Sequence, residues 1–313
     1  MKPVYVPNYY ASFRCIAASC RHSCCIGWDV YIDEETQEKY KKMGGETGKT
    51  VRAHLCEKED GICFEMCEDG RCPMLNAQGL CKIILEHGEG YISEICREHP
   101  RFYSFFSDRT EVGLGLSCEE AARIILSQEE KARLCVISED EAEEEELWQS
   151  EAEVLASREK VIAVLQERSR SIDERAEAML ALCAARLPEK TSAEWADVFR
   201  SLEMLDGEWE YALDMLSQSD MSAEMAEFTL PFEQLLVYFV YRHTAEAEDG
   251  RDFAARVAFA YLSFKIIRAL CAAKKAASGE CTHADLCDFA RRYSAEIEYS
   301  PENTHALIDM MEV

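Results

Sequence analysis

Apolar residues recur along this chain with more than one period. Downstream of residue 150 they return every three or four positions, the mark of a helix with one buried face. The segments that carry this period are 151–168, 172–187, 192–205, 207–218, 222–243, 250–277, 283–297 and 302–312. Local chemistry agrees at several ends: "TSAE" from Thr191 is a capping box, and Pro301 stands where a helix start tolerates a missing N–H. Pro231 falls inside the 222–243 segment and should kink or break it. Trp195, Trp209, Phe232, Phe239, Tyr261 and Phe264 lie in these segments and are expected to fill a core. There is no repeat of fixed period.

Upstream the patterns are shorter and mixed. "WDVYID" alternates and predicts a strand, followed by a helix whose first amides the Asp33 carboxylate can cap. "LCKIILEHGEGYISEICREHP" reads as helix on both sides of Gly88 and Gly90, "TEVGLGLS" as a strand and "CEEAARIILSQ" as a helix. "KTVRAHL" and "GICFEM" fit either state. The two textures meet at "SEDEAEEEE", Ser138 to Glu146, a charge run of the kind that makes a solvated helix face or linker. The expected architecture is mainly α. A cysteine-rich N-terminal metal-binding region with a few short strands spans 1–137, an acidic linker or helix start spans 138–150, and an α-helical domain spans 151–313.

Charge narrows the partners. The chain has 313 residues and a formal net charge of -26, which repels phosphate backbones and anionic lipids. Nucleic acid and membrane are therefore not expected partners. The longest apolar stretches are "FTLPFEQLLVYFVYR", broken by Glu233 and Gln234, and "VAFAYLSFKIIRALC", broken by Lys265 and Arg268. Both fall short of a membrane span. "MKPVYVPNYY" lacks the apolar run of a secretory signal. The protein is expected to be soluble and cytoplasmic.

That compartment changes the meaning of sixteen cysteines, eleven of which lie between Cys15 and Cys118. Dense thiols in a reducing compartment point to metal binding or redox chemistry rather than structural disulfides. Cys20 and Cys24 would share a face if helical, with Cys15 folding back through a loop and Cys25 turned away. Thiolate ligands suit an iron–sulfur cluster, zinc or copper(I), and the spacing alone does not choose among them. Cys135, Cys183, Cys271, Cys281 and Cys287 are scattered through helix-like sequence and are expected to pack as small hydrophobes.

"FRCIAASCRHSCCIGWDVYID", "RCPMLNAQGLCKI", "SEICREHPRF" and "GLSCEEAARIIL" occur in this order over residues 10–130. Together they resemble the flagellin lysine-N-methylase (FliB-type) family. The first of them also resembles a wider group of zinc- or iron-chelating cysteine-cluster proteins. Carried over position by position, the resemblance places metal ligands at Cys15, Cys20, Cys24, Cys25, Cys72, Cys81, Cys96 and Cys118; for such a thiolate set an iron–sulfur cluster, 4Fe-4S, is expected ahead of zinc. Cys56, Cys63 and Cys67 have no counterpart. The resemblance implies methyl transfer from S-adenosylmethionine to lysines of flagellin. No strand followed by G-x-G at a helix start is present, so that cofactor would need another kind of pocket. Trp28 and Tyr103 are candidates for cation–π contact with its sulfonium, although packing against the cluster also accounts for Trp28. Arg101 would hold its carboxylate or pair with an acid near the cluster. His99, a lone histidine, would be structural or a metal ligand. No catalytic residue can be named from the sequence. The rival readings are a non-enzymatic metal-binding or assembly protein and a redox module.

Overall fold

The computed structural model describes residues 2–140, 145–223 and 225–311. In chain order it contains β1 (Lys2–Pro7), α1 (Glu34–Lys42), α2 (Gly45–Ala53), β2 (Leu55–Lys58), β3 (Gly61–Phe64), α3 (Lys82–His87), α4 (Glu94–Glu98), β4 (Arg101–Phe105), β5 (Thr110–Leu114), α5 (Glu119–Leu126) and β6 (Leu134–Asp140). Helices follow: α6 (Gln149–Leu165), α7 (Ile172–Cys183), α8 (Ser192–Arg200), α9 (Gly207–Ser217), α10 (Thr229–His243), α11 (Gly250–Ser278), α12 (His283–Tyr293) and α13 (Pro301–Asp309). A single π-helical turn, Ser294–Glu298, continues α12. The mainly α expectation holds.

The chain divides into two units, Arg14–Phe102 and Met1–Phe13 with Tyr103–Val313. This differs from the boundary expected near residue 137. The reason is strand pairing. Backbone N–H and C=O groups of a strand must find partners, and those of β1 lie far along the chain. β1 pairs in parallel with β5 (Val4 opposite Thr110) and antiparallel with β6 (Tyr5 opposite Val136, Val6 opposite Cys135), in a sheet ordered β4-β5-β1-β6. The acidic run expected as linker or helix start completes β6 up to Asp140 and resumes as α6 at Gln149. Its residues 141–144 lie outside those described.

In the larger unit, α11 is buried along most of its length from Phe253 to Cys271. A helix apolar on nearly every face belongs at the centre of a helical assembly. Phe199, Trp209, Phe239 and Tyr293 meet edge to face, with ring centroids 5.7–6.2 Å apart. Of the aromatics expected in the core, only Tyr261 is half-exposed. Pro231 does not kink its helix. α10 starts at Thr229, which puts the proline in the first turn, where a missing N–H costs no intrahelical bond.

The polar residues that interrupt the apolar stretches are structural braces. The Glu233 carboxylate, fully buried on α10, accepts hydrogen bonds from Arg168 at 2.8 Å and from Arg175 at 2.6 Å. Its neighbour Gln234 donates to the carbonyls of Gln128 and Glu130. Arg268 on α11 pairs with Asp173. At the end of the π turn, the buried Glu298 carboxylate receives the Tyr238 hydroxyl at 2.9 Å and His243 Nε2 at 2.6 Å, and Arg242 lies 3.3 Å away. Burial alone would raise the Glu298 pKa, but Arg242 and His243 together hold it below its ordinary value. Burial lowers the His243 pKa, with Glu298 acting in the opposite sense. Among the described residues no helix is long and apolar enough to cross a membrane.

Glu233→Ala strands the buried Arg175 guanidinium, and chemical denaturation should show a loss of about 3–5 kcal/mol. Glu227→Ala, which breaks only the half-exposed pair with Lys275, should cost less than about 1 kcal/mol. Glu296 is buried with one carboxylate oxygen unpartnered, and burial pushes its pKa up to about 7. Its protonated form is favoured by the fold. That contribution is complete below the unfolded value near 4.5 and is lost as pH rises through about 7. Glu296→Gln should therefore gain up to about 3 kcal/mol relative to the natural protein above pH 7 and nothing below pH 4.5, read by denaturant titration across pH.

Candidate functional site

The smaller unit has little regular structure, and its thiols are held by loops rather than by one helix. "SCRHSCC" is not helical. Ala17–Ser19 form a short 3-10 turn, and residues 20–25 continue without a helix. The shared helix face expected for Cys20 and Cys24 is therefore absent. Cys15 and Cys24 are exposed, and Cys20 donates to the His22 carbonyl at 3.3 Å. Cys25, expected to turn away, is the member of this group that packs on the core of the unit.

Three more thiols join it there. Cys72 is part of the buried cluster with Val30, Ile32, Tyr40, Met43, Phe64 and Met74, and Cys81 and Cys96 pack against it. Each arrives on a differently built segment. The Cys72 N–H donates to the Cys25 carbonyl at 2.8 Å, and beside it Gly27 N–H donates to the Gly70 carbonyl. Both glycines have positive φ, +89° and +74°, so this tight crossing of two loops uses conformations that other residues resist. Between Cys72 and Cys81 the Asn76 side chain accepts the N–H groups of Gln78 and Leu80, each at 2.9 Å, which closes the loop and places Cys81 at the start of α3. Cys96 rides on α4. The first N–H of that helix donates to Asp33 Oδ2 at 2.8 Å, while Asp33 Oδ1 accepts from Thr36 as the expected cap of α1. One carboxylate thus fixes two helices, and the second depends on a residue sixty-one positions away.

The electrostatics show that these four sulfurs share one environment. Burial pushes Cys72 up to about 12 and Cys96 up to about 11, and raises Cys81, with the thiols adding to one another's shifts. Tyr40, buried in the same core, is raised by burial and then by Cys96, Cys81 and Cys72. Amide N–H groups of Met74 and of Ile83 and Ile84 act in the opposite sense on Cys72 and Cys81. Cys25 differs: a hydrogen bond with Cys24 lowers it to about 7 against the effect of burial.

Amides aimed at sulfur are what a metal-thiolate set uses to spread its charge, and a thiol at pKa about 7 ionises readily, so the donor chemistry fits a thiophilic metal. Among the described residues, however, no group of three or more His, Cys, Asp or Glu side chains is gathered closely enough to hold a metal ion. A bound metal would have to draw the four sulfurs inward.

Cys118, the eighth expected ligand, caps α5 in the other unit. Trp28 packs on the small unit's core, donates Nε1–H to the Cys24 carbonyl at 2.5 Å and lies 6.3 Å from the His99 ring. Burial pushes His99 down to about 4, so the imidazole is neutral. Arg101 begins β4 and donates to the Arg97 carbonyl. Tyr103, half-exposed and stacked on Phe105, is assigned to the larger unit. A cavity of about 490 Å³ in that unit is lined by Lys190, Trp195, Asp220 and Lys265 among others, and by none of Trp28, Arg101 and Tyr103.

Two features escaped the sequence reading. Cys56 and Cys63 meet across the β2–β3 hairpin. The cysteines expected only to pack are not all isolated either: Cys271 and Cys281 are hydrogen-bonded to each other, and Cys287 lies 3.6 Å from His283 Nδ1. A hairpin pair is visible in the spacing once both strands are known; Cys271 on α11 and Cys281 in the loop before α12 leave no local signal, whereas His283 and Cys287 stand four apart on α12.

The Asp33 arrangement yields a prediction. Asp33→Ala removes the cap of α1 and the anchor of α4, and should cost about 2 kcal/mol. Hydrogen exchange at both Thr36 and Glu94 amides should accelerate, and protection at Glu94 should be retained if the second contact has no weight.

Comparison with known proteins places the larger unit. Residues 218–313 match the family model of the FliB lysine N-methylase C-terminal domain. The lysine-N-methylase of Salmonella typhimurium (strain LT2) is 28% identical over 135 residues, covering 41% of this chain and 34% of that protein. The lysine-N-methylase of Salmonella choleraesuis is 27% identical with the same coverage. The flagellar biosynthetic protein FliU of Salmonella muenchen is 27% identical over 135 residues, 41% of this chain and 80% of that protein. The matched part spans about a third of the length of the two methylases. No solved structure matches. Over residues 218–313 the chain is thus similar to the FliB lysine N-methylase C-terminal domain.

Proposed function

We propose that this protein methylates lysine side chains of flagellin, with S-adenosylmethionine as methyl donor. The observation that carries this reading is the FliB lysine N-methylase C-terminal domain over residues 218–313. The names of the relatives, lysine-N-methylase and a flagellar biosynthetic protein, support both the reaction and the class of substrate. In such a transfer the lysine nitrogen forms a bond to the methyl carbon as the carbon–sulfur bond breaks, and a proton leaves the amine. The amine must be neutral when it attacks, which a desolvated site favours by lowering its pKa. A net charge of -26 draws a cationic lysine towards the protein before that step. Trp28 and Arg101, both in the small unit, remain proposed contacts of the cofactor.

We further propose that Cys25, Cys72, Cys81 and Cys96 hold a metal centre, an iron–sulfur cluster ahead of zinc, with Cys15, Cys20, Cys24 and Cys118 as the remaining thiols that the family resemblance assigns. When bound, such a centre supplies metal–sulfur bonds that tie together segments with little secondary structure of their own, and its binding free energy becomes folding free energy. The protein's part is to aim amides of Met74, Ile83 and Ile84 at the sulfurs and to exclude water with Tyr40, Met74 and Phe64.

Anaerobically prepared protein should contain iron and sulfide, or zinc, near stoichiometrically. Cys72→Ser should lose the metal and destabilise the small unit, while Cys183→Ala should keep it. Equal loss in both would remove the assignment. With S-adenosylmethionine and unmethylated flagellin, mass spectrometry should find methyl increments on lysine-containing peptides. Metal-replete protein that binds no S-adenosylmethionine in calorimetry would leave the metal-binding reading and remove the methylase.

A further inference from the structure

The hairpin of β2 and β3 brings together two thiols that neither the family resemblance nor the proposed metal site uses. Cys56 and Cys63 stand directly opposite each other in its register, between the pairs Leu55–Phe64 and Glu57–Ile62. Their sulfurs are 3.5 Å apart. Glu65 N–H donates to the His54 carbonyl at 2.7 Å. Hydrogen-bonded pairs alternate along an antiparallel ladder, so the pair two residues further on, Cys56–Cys63, is of the same kind. Cα atoms in such pairs lie about 5.5 Å apart. Disulfides occur at about 4.4–6.8 Å. Closing the bond therefore needs side-chain rotation and no change of register.

The two thiols are also placed asymmetrically. Cys63 is fully buried, under the segment Val30–Ile32, to which β3 is tied by bonds between Ile32 N–H and the Ile62 carbonyl and between Phe64 N–H and the Val30 carbonyl. Cys56 is half-exposed on the outer strand. Lys58, two residues along and so on the same face, brings an ammonium group near both sulfurs while binding Asp29 at 2.7 Å.

We propose that Cys56 and Cys63 are a redox-active dithiol that closes to a disulfide on reaction with hydrogen peroxide. Cys56 meets the oxidant: its sulfur takes one peroxide oxygen, giving a sulfenic acid, and water leaves. The Cys63 sulfur then attacks the Cys56 sulfur, the S–S bond forms as the S–O bond breaks, and the hydroxyl departs with the Cys63 proton as a second water. Two electrons pass from the thiols to peroxide, and a dithiol reductant returns them. The closed bond locks the hairpin that backs Val30–Ile32, the segment leading from Cys25 and Trp28 into α1.

The test uses the full chain. Reduced protein is treated with one equivalent of hydrogen peroxide, remaining thiols are alkylated, and tryptic peptides are mapped. Cleavage after Arg52, Lys58 and Arg71 puts Cys56 on peptide 53–58 and Cys63 on peptide 59–71, which also carries Cys67. The expected product is these two peptides joined through Cys63, as fragment ions assign, and separated again by dithiothreitol. In Cys63→Ser, Cys56 should accumulate as a sulfenic acid that dimedone traps. A cross-link from Cys56 to Cys67, or Cys56 and Cys63 both alkylated while other cysteines oxidise, overturns the proposal. The natural chain alone decides this if the variant does not fold.

Discussion

The carboxylate of Asp33 is the contact on which the small unit's arrangement of thiols turns. Its two oxygens satisfy first-turn amides of α1 and α4 at once. Without the second bond, α4 is a five-residue helix with little to fix its direction, since helices this short have no stability of their own. Cys96 rides on that helix. The other thiols depend on similarly local devices: a pair of left-handed glycines for Cys25 and Cys72, and an asparagine-closed loop for Cys81. The unit is thus a set of loops, each pinned by a local device, whose thiols lie in or against one core.

The larger unit solves the opposite problem. Its helices carry more than enough apolar surface, and buried charge fixes how they meet. Glu233 joins α10 to Arg168 and Arg175, Glu298 joins the π turn to Tyr238, Arg242 and His243, and Glu111 on β5 joins Arg158 on α6 at 2.6 Å. Such pairs repay the cost of burial only when their geometry is well satisfied, so they penalise alternative packings more than they add net stability. This is the segment in which the match to the FliB C-terminal domain lies, from residue 218 onward.

The functional reading therefore draws on two sources. The larger unit carries the match to the FliB lysine N-methylase C-terminal domain; the smaller one holds the thiols that the resemblance singles out. Four thiols in or against the buried core, two of them with amides directed at the sulfur, and a fifth and sixth in contact across a hairpin, make the small unit rich in sulfur chemistry of two separable kinds. The first would be controlled by metal and the second by oxidant, and the two involve different residues.

The sequence by itself determined the helical elements after residue 150, the cap of α1 by Asp33, the strand at Thr110–Leu114 and the buried aromatics, because each follows from periodicity or from contacts within a few residues. Its motif order also carried the resemblance to the flagellin lysine-N-methylase family. It did not show β1 or the pairing role of β6, since a strand rich in proline such as "KPVYVP" is recognised only by the partners it finds. It placed Pro231 mid-helix because the true start at Thr229 depends on packing. It also could not divide eight candidate cysteines. Spacing made Cys24 and Cys25 equivalent neighbours, yet one is exposed and the other packs on the core. That choice belongs to the tertiary structure, because it rests on which thiols pack in or against the core around Val30, Tyr40, Phe64 and Met74, a core assembled from segments far apart along the chain.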